Sequence, residues 1–362
     1  SYFKYLEIDY EAEKEELHIP TFRQDLLSYA DIAEEVARFY GYDNIPVTLP
    51  EGAAQAGGLS PKQTLEALAR DVAQYMGFSE SMTYSFESPK VFDKLMLKAD
   101  DPMRSAIVIS NPLGEDFSIM RTSVINGMLT SLSTNYNRRN TNVRLYELGN
   151  IYIPKSLPLT ELPEERMQLA IGFYGEGDFY TMKGAVEEFF ERAGLREKVH
   201  YNAGAKYPFL HPGRKAQIVY GGKNFGFIGE VHPLVCRAYD IKDRVYLANI
   251  DLSQVLPLMN FDVHYEELAK YPAATRDFSL VVPKKVTAGE IESVFERKGG
   301  AYLEHYELFD LYEGSQVLAG NKSMAYTLVF RAKDRSLAEE DITAATDRIL
   351  KALEGLGVRL RQ

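Results

Sequence analysis

RDFSLVVP (Arg276–Pro283), together with TAGEIESVFERKGG (Thr287–Gly300), opens the most regular part of this chain, and the segments after it decide the fold. The first segment reads as a strand and the second as a helix. LEHYELFDLYEG (Leu303–Gly314) and KSMAYTLVFRAKD (Lys322–Asp334) read as two further strands. AEEDITAATDRILKALEGLG (Ala338–Gly357) is a long helix, and VRLRQ (Val358–Gln362) a last strand. The order β-α-β-β-α-β is the ferredoxin-like arrangement, expected over residues 271–362 after a short hinge near Ala269 and Lys270. One strand resists assignment of its faces. Tyr306, Leu308, Asp310 and Tyr312 share one parity, His305, Glu307, Phe309 and Leu311 the other, and neither set is purely apolar.

Working toward the N-terminus, residues 62–258 read as a mixed α/β region. PKQTLEALARDVAQYMGF is an amphipathic helix ending at Gly77, and TSVINGMLTSLSTNYNRR is a second helix. AIVISNPL suggests a strand and turn. VRLYELGNIYI, MQLAIGFYG and RVYLANIDL supply strands, and the Gly221-Gly222 pair in VYGGKNFGFIGE marks a hairpin between two alternating runs. PEGAAQAGGLSP (residues 50–61) reads as a linker. Residues 1–49 hold a short strand, ELHIPTF, and a helix from about Asp31 to Tyr40. Asp31 is the expected N-cap, Glu34 its capping-box partner and Gly41 the stop.

The bulk properties fit several packed domains. The chain has 362 residues, 45% of them hydrophobic, and a net charge of -11. A single cysteine, Cys236, excludes an internal disulfide and any cysteine-based zinc cluster, and suits a reducing cytoplasm. No apolar run approaches the length of a membrane span. The start has no signal-peptide pattern and no initiator Met, so the chain is expected to be a piece of something longer. Charge is uneven: from Lys270 to Gln362 there are 14 Lys and Arg and 14 Asp and Glu, so the whole deficit lies before that point. The neutral C-terminal part is the better candidate for touching phosphate.

RQDLLSYADIAEEVARFYGYDNIP (Arg23–Pro46) raises the chemical question. On a helix Asp31, Glu34 and Glu35 share a side, and Asp25 could fold over it. Carboxylates gathered in one place repel unless a cation joins them, and oxygen-only ligands suit a hard ion such as Mg²⁺ or Ca²⁺. The other reading is a capping box with a solvated acidic face.

PTFRQDLLSYADIAEEVARFYGYDNIP resembles the end of the small metal-carrying domain of the bacterial phenylalanyl-tRNA synthetase β-subunit family. The pattern is R-x-D, a second D six positions on, x-x-E-E, then Y-G-Y-[DN]-N-I-P. Asp25, Asp31, Glu34 and Glu35 fall on that family's magnesium positions, and the resemblance implies a Mg²⁺ shared with the α subunit. NPLGEDFSIMRTSVINGMLTSLSTNYNRR, VRLYELGNIYIP and HPGRKAQIVYGGKNFGFIGEVHP resemble the family's class II synthetase-like antiparallel module. YPAATRDFSLVV and the remainder of the chain are similar to its anticodon-binding domain. The three signatures in this order cover nearly the whole chain, and imply the C-terminal part of such a subunit.

The resemblance implies an α/β and α+β multidomain chain working in an α2β2 heterotetramer in the cytoplasm, where ATP is used to join phenylalanine to tRNA(Phe). A stand-alone RNA-binding or scaffold protein reusing the same modules is the alternative. Catalysis is not expected here. An active class II motif 2 reads roughly E-x-G-x-x-[FY]-R-x-E; this chain has Glu147, Gly149 and Tyr152, but Ile153 in place of the Arg and Lys155 in place of the acid. An isoleucine cannot grip a phosphate. The six histidines are scattered, and His211-Pro212-Gly213-Arg214 reads as a turn entering a strand. RNA contacts are expected from Arg331, Lys333, Arg335, Arg359 and Arg361. Tyr306, Phe309, Tyr312, Tyr326 and Phe330 either stack bases or pack under the helices.

Overall fold

The structure, a computed structural model, describes residues 2–54, 56–314 and 317–361; Gln55, within the expected linker, and Gln362, the end of the expected last strand, lie outside them. The chain divides into two compact units, Ser1–Gly58 and Leu59–Gln362.

The first unit has little interior. A hairpin pairs β1 (Asp9–Glu11) with β2 (Glu16–His18), much shorter than the strand expected to reach Phe22. Helix α1 spans Tyr29–Tyr40, ended by Gly41 at φ +95°. Its N-cap is Ser28, not Asp31. Asp31 instead occupies the third helical position and reaches back to the Leu27 and Ser28 N–H groups, at 2.9 and 2.6 Å. Capping boxes take an acid at that position because it satisfies donors that the helix leaves free. Among the described residues of this unit only Ile8, Leu26 and Glu35 are buried.

The second unit begins with α2 (Pro61–Tyr75), started by a Ser60–Gln63 capping box and Pro61 in the first turn. Strand β3 (Ser79–Glu80) joins a sheet; β4 (Phe86–Glu87) and β5 (Ile119–Met120) form a separate pair. AIVISNPL, expected as a strand, contributes one isolated bridge, Val108 to Ile119. After α3 (Ile125–Asn137) come β6 (Val143–Ile153), β7 (Glu164–Tyr174), α4 (Phe179–Arg192), β8 (His200–Asn202), β9 (Leu210–Tyr220), β10 (Lys223–Val231) and β11 (Val245–Asp251). The seven strands lie in the order β3-β6-β7-β11-β10-β9-β8, antiparallel except for β3 beside β6. Helices α2 and α4 pack on one face with Leu169, Ile171 and Phe173; α3 packs on the other with Ala170 and Tyr174. A strand covered on both sides must be apolar at both parities, which is why MQLAIGFYG shows no alternation. Gly221 and Gly222, both at positive φ, make the β9–β10 turn.

The last part is β12 (Ala274–Pro283), α5 (Ala288–Lys298), β13 (Leu303–Tyr312), β14 (Asn321–Phe330), α6 (Glu339–Glu354) and β15 (Arg359–Leu360). The sheet order is β13-β14-β12-β15, all antiparallel, with both helices on one face. The puzzling parity of β13 has a cause. Its register against β14 slips between Leu303 and His305 and again between Leu308 and Asp310. Each bulge inserts one residue and exchanges the faces. The helix side is therefore Leu303, Tyr306, Leu308 and Leu311, opposite Phe330, Leu328, Tyr326 and Met324.

Candidate metal and nucleic-acid sites

The structure does not gather the four acids of the first unit around one empty point. Arg23 holds two of them: its Nε and Nη2 donate to Asp25 at 2.9 and 2.6 Å, and Nη2 donates to Glu35 at 2.8 Å. Arg38 also donates to Glu35. The Arg23 guanidinium keeps both carboxyls below their ordinary range, with Arg38 adding to the effect on Glu35. Asp31 is lowered by the Ser28 hydroxyl and by the N–H groups of Ser28 and Leu27. Glu34 is exposed, with no partner among the described residues. The donors are all oxygen, as a hard cation requires, but the place between Asp25 and Glu35 is taken by a guanidinium. Among the described residues the group with ligand atoms within 4.8 Å of one another is Glu11, Glu16 and His18. It sits on the β1–β2 hairpin, and Lys14 lies 2.8 Å from Glu11.

In the central module, Glu147 is 2% exposed and points from β6 toward Arg121, whose Nη1 donates to it at 2.7 Å. Thr83 donates to the same carboxylate at 2.9 Å, and the Arg121 Nε donates to the Asn150 carbonyl at 2.7 Å. Gly149 makes room: a Cβ there would stand 2.1 Å from the Arg121 Nη2. Ile153 ends β6 opposite Glu164, and Lys155 pairs with Glu161 at the surface, 2.7 Å away. Arg121 is the residue that motif reasoning missed. The signal was a lone charge in the otherwise uncharged run SIMRTSVING. Close to it Glu87, 6% exposed, accepts from Asn126 at 3.0 Å and faces a cleft of about 770 Å³. Burial pushes its carboxyl up to about 7 against the pull of Asn126 and Arg121. Met82, Tyr84 and Phe86 stand exposed around the same cleft.

The five basic residues of the last domain fall into two groups. Arg331, Lys333 and Arg335 follow β14; Arg359 and Arg361 lie on or beside the edge strand β15. Phe330 is opposite Ala274, while the Arg361 N–H reaches the Ser279 carbonyl. The groups are thus separated by the run from Ala274 to Ser279 along β12, roughly 17 Å. Arg331 donates to Glu304 at 2.9 Å and to the Tyr271 carbonyl at 2.7 Å. Arg335 is paired with Asp341 at 2.6 Å, and Lys333 has no partner among the described residues. Of the aromatics, Tyr326 and Phe330 are fully buried, and Tyr306 packs edge-on to Phe295 beneath α5. The open face of the sheet carries Asp277, Glu307 and Asp310, with Arg359 on the same face at the β15 edge opposite Val281.

The sequence matches three family models in chain order: "tRNA synthetase B5 domain" over residues 1–42, "Phenylalanyl tRNA synthetase beta chain CLM domain" over 45–252 and "Ferredoxin-fold anticodon binding domain" over 269–361. It is 40% identical over 357 residues to the phenylalanine–tRNA ligase beta subunit of Clostridium tetani, covering 98% of this chain and 45% of that protein. The same figures hold for the subunit from Clostridium acetobutylicum, and the Moorella thermoacetica subunit is 39% identical over 353 residues, covering 95% of this chain and 44% of that protein. The chain thus spans a little under half the length of these curated relatives. The central match alone takes in more than half of the chain, and the chain belongs to the phenylalanyl-tRNA synthetase β-chain family.

Proposed function

We propose that this chain is the C-terminal portion of a phenylalanine–tRNA ligase β subunit, acting in an α2β2 enzyme of the cytoplasm. The observation that carries the reading is the succession of three family matches across nearly the whole chain. The stand-alone scaffold has no such support, since the relatives are ligase subunits. Among the described residues no helix is long and apolar enough to cross a membrane.

In such an enzyme ATP activates phenylalanine with loss of pyrophosphate, and the acyl group then passes to the terminal hydroxyl of tRNA with loss of AMP. The central module is a catalytically silent relative of the class II fold and offers no group for either step. Ile153 stands at the phosphate-gripping position, and Arg121 is spent on Glu147, Thr83 and Asn150. Its exposed apolar residues, Met82 and Tyr84 among them, brace the catalytic α subunit over an obligate-type interface of roughly 2,000 Å² or more. Asp25, Asp31, Glu34 and Glu35 are the positions proposed for Mg²⁺ in the assembled enzyme. The support is their donor type and the family pattern, and Arg23 must first release Asp25 and Glu35.

The C-terminal domain holds the tRNA through its rim, where Arg331, Lys333, Arg335, Arg359 and Arg361 present cations; each phosphate contact adds a salt slope of roughly one. Reconstitution with a separately made α subunit tests the whole reading. Deleting residues 271–362 from the assembled enzyme should lower tRNA charging and spare phenylalanine-dependent exchange of pyrophosphate into ATP. Exchange by this chain alone, or charging unchanged by the deletion, would overturn it.

A further inference from the structure

His211-Pro212-Gly213-Arg214 is not the simple turn its sequence suggests. Leu210 pairs with Val231 and Lys215 with Gly229, so the four residues between them bulge from the β9–β10 ladder opposite the single residue Glu230. Bulges of this kind re-aim side chains beside sites. Here the bulge turns His211 and Arg214 into a cavity of about 500 Å³.

The walls of that cavity are cationic. Glu230, 4% exposed, anchors Arg214 with two contacts of 2.7 Å and lies 4.0 Å from Arg244. Arg237 and Lys242 also line it, and neither side chain has a partner among the described residues. Four cations thus face two carboxylates, Glu230 and Asp243, in a chain whose net charge is -11. His211 Nδ1 accepts the Gly213 N–H at 3.1 Å, which places the proton of the neutral ring on Nε2 as a further donor. Cys236 lines the inner wall; burial pushes its thiol up to about 11, so it adds no negative charge at neutral pH. Unpaired cations grouped around a concave surface, with one arginine pinned by a buried carboxylate, suit a planar or tetrahedral oxyanion.

We propose that this cavity is a binding site for a phosphate group, in the form of either a small phosphate ester or the backbone of a nucleic acid. Titration of the 362-residue chain with inorganic pyrophosphate, followed by calorimetry, should show saturable binding. The variant R237Q/K242Q should weaken it at least tenfold. Both residues are exposed, with no partner among the described residues, so folding is spared. Removing two equal charges elsewhere, as R138Q/R139Q, should leave binding within about twofold. Competition with a short fluorescein-labelled single-stranded RNA separates the sources: displacement of pyrophosphate assigns the site to a nucleic-acid backbone, and independent binding assigns it to small phosphates. Absence of saturable pyrophosphate binding, or equal weakening by the two double variants, would overturn the site.

Discussion

Arg121 and Arg23 do the same chemistry in opposite surroundings. Each bridges a glutamate to other groups through several donors. Arg121 and Glu147 are 5% and 2% exposed, packed inside a three-layer module. Arg23 and Glu35 are 20% and 9% exposed, in a unit with hardly any apolar interior, and the third partner, Asp25, is 62% exposed. The difference teaches what an ion pair is worth. Inside, removing one partner strands a charge that water cannot reach. In the first unit Asp25 is open to water and Arg38 also holds Glu35, so losing Arg23 strands no charge, and the pair organises side chains more than it stabilises them.

The sharpest way to break this comparison is Arg121→Met. It leaves Glu147 buried with only Thr83 as donor, and should cost roughly 3–5 kcal/mol in urea unfolding. Adding Glu147→Met should restore at least half of the loss, because the stranded charge goes with it. A single variant as stable as the parent would mean that the central pair is no more than the surface one.

Glu87 supplies the next effect. Its carboxyl is raised from 4.5 to about 7 by burial. In that window the folded chain holds a proton that the unfolded chain has lost, so stability falls as pH rises and levels off above about 7. The contribution reaches about 3 kcal/mol at most. Denaturation near pH 5 and near pH 8 should show this fall in the parent and a flatter profile in Glu87→Gln. Identical profiles would remove Glu87 from the account of the cleft it faces.

The smallest effect is expected at Arg23. Arg23→Gln should leave unfolding almost unchanged, yet free Asp25 and Glu35 for a metal. Mn²⁺ binding, followed by electron paramagnetic resonance, should tighten several-fold, and Glu34→Gln should reverse the gain. If Arg23→Gln changes neither metal binding nor association with the α subunit, the acids of the first unit are a capped and solvated surface.

These contrasts also mark where residue patterns could be read directly. Element order in the last domain was legible because strand and helix periods alternate cleanly from Arg276 onward. The Gly221-Gly222 hairpin was legible because only glycine tolerates positive φ without cost. The start of α1 was not, since Ser28 and Asp31 both suit a helix start and only the backbone decides which one is the cap. The role of Arg121 was hidden because its partners lie 26 and 38 positions away, at Glu147 and Thr83.

By itself, then, the sequence determined the family, the order of its three signatures and the α/β character of the chain, because these rest on local periodicity and on motifs within short spans. Only the tertiary structure decided which charges are spent on one another. It placed Arg23 between Asp25 and Glu35, locked Arg121 onto Glu147, and let two bulges turn the faces of β13. It also bulged His211–Arg214 from the β9–β10 ladder, into one cavity with Arg237, Lys242 and Arg244. The physical reason is common to all four. Electrostatic pairing and strand register depend on distances in space between segments far apart in the chain, and no local pattern encodes a distance.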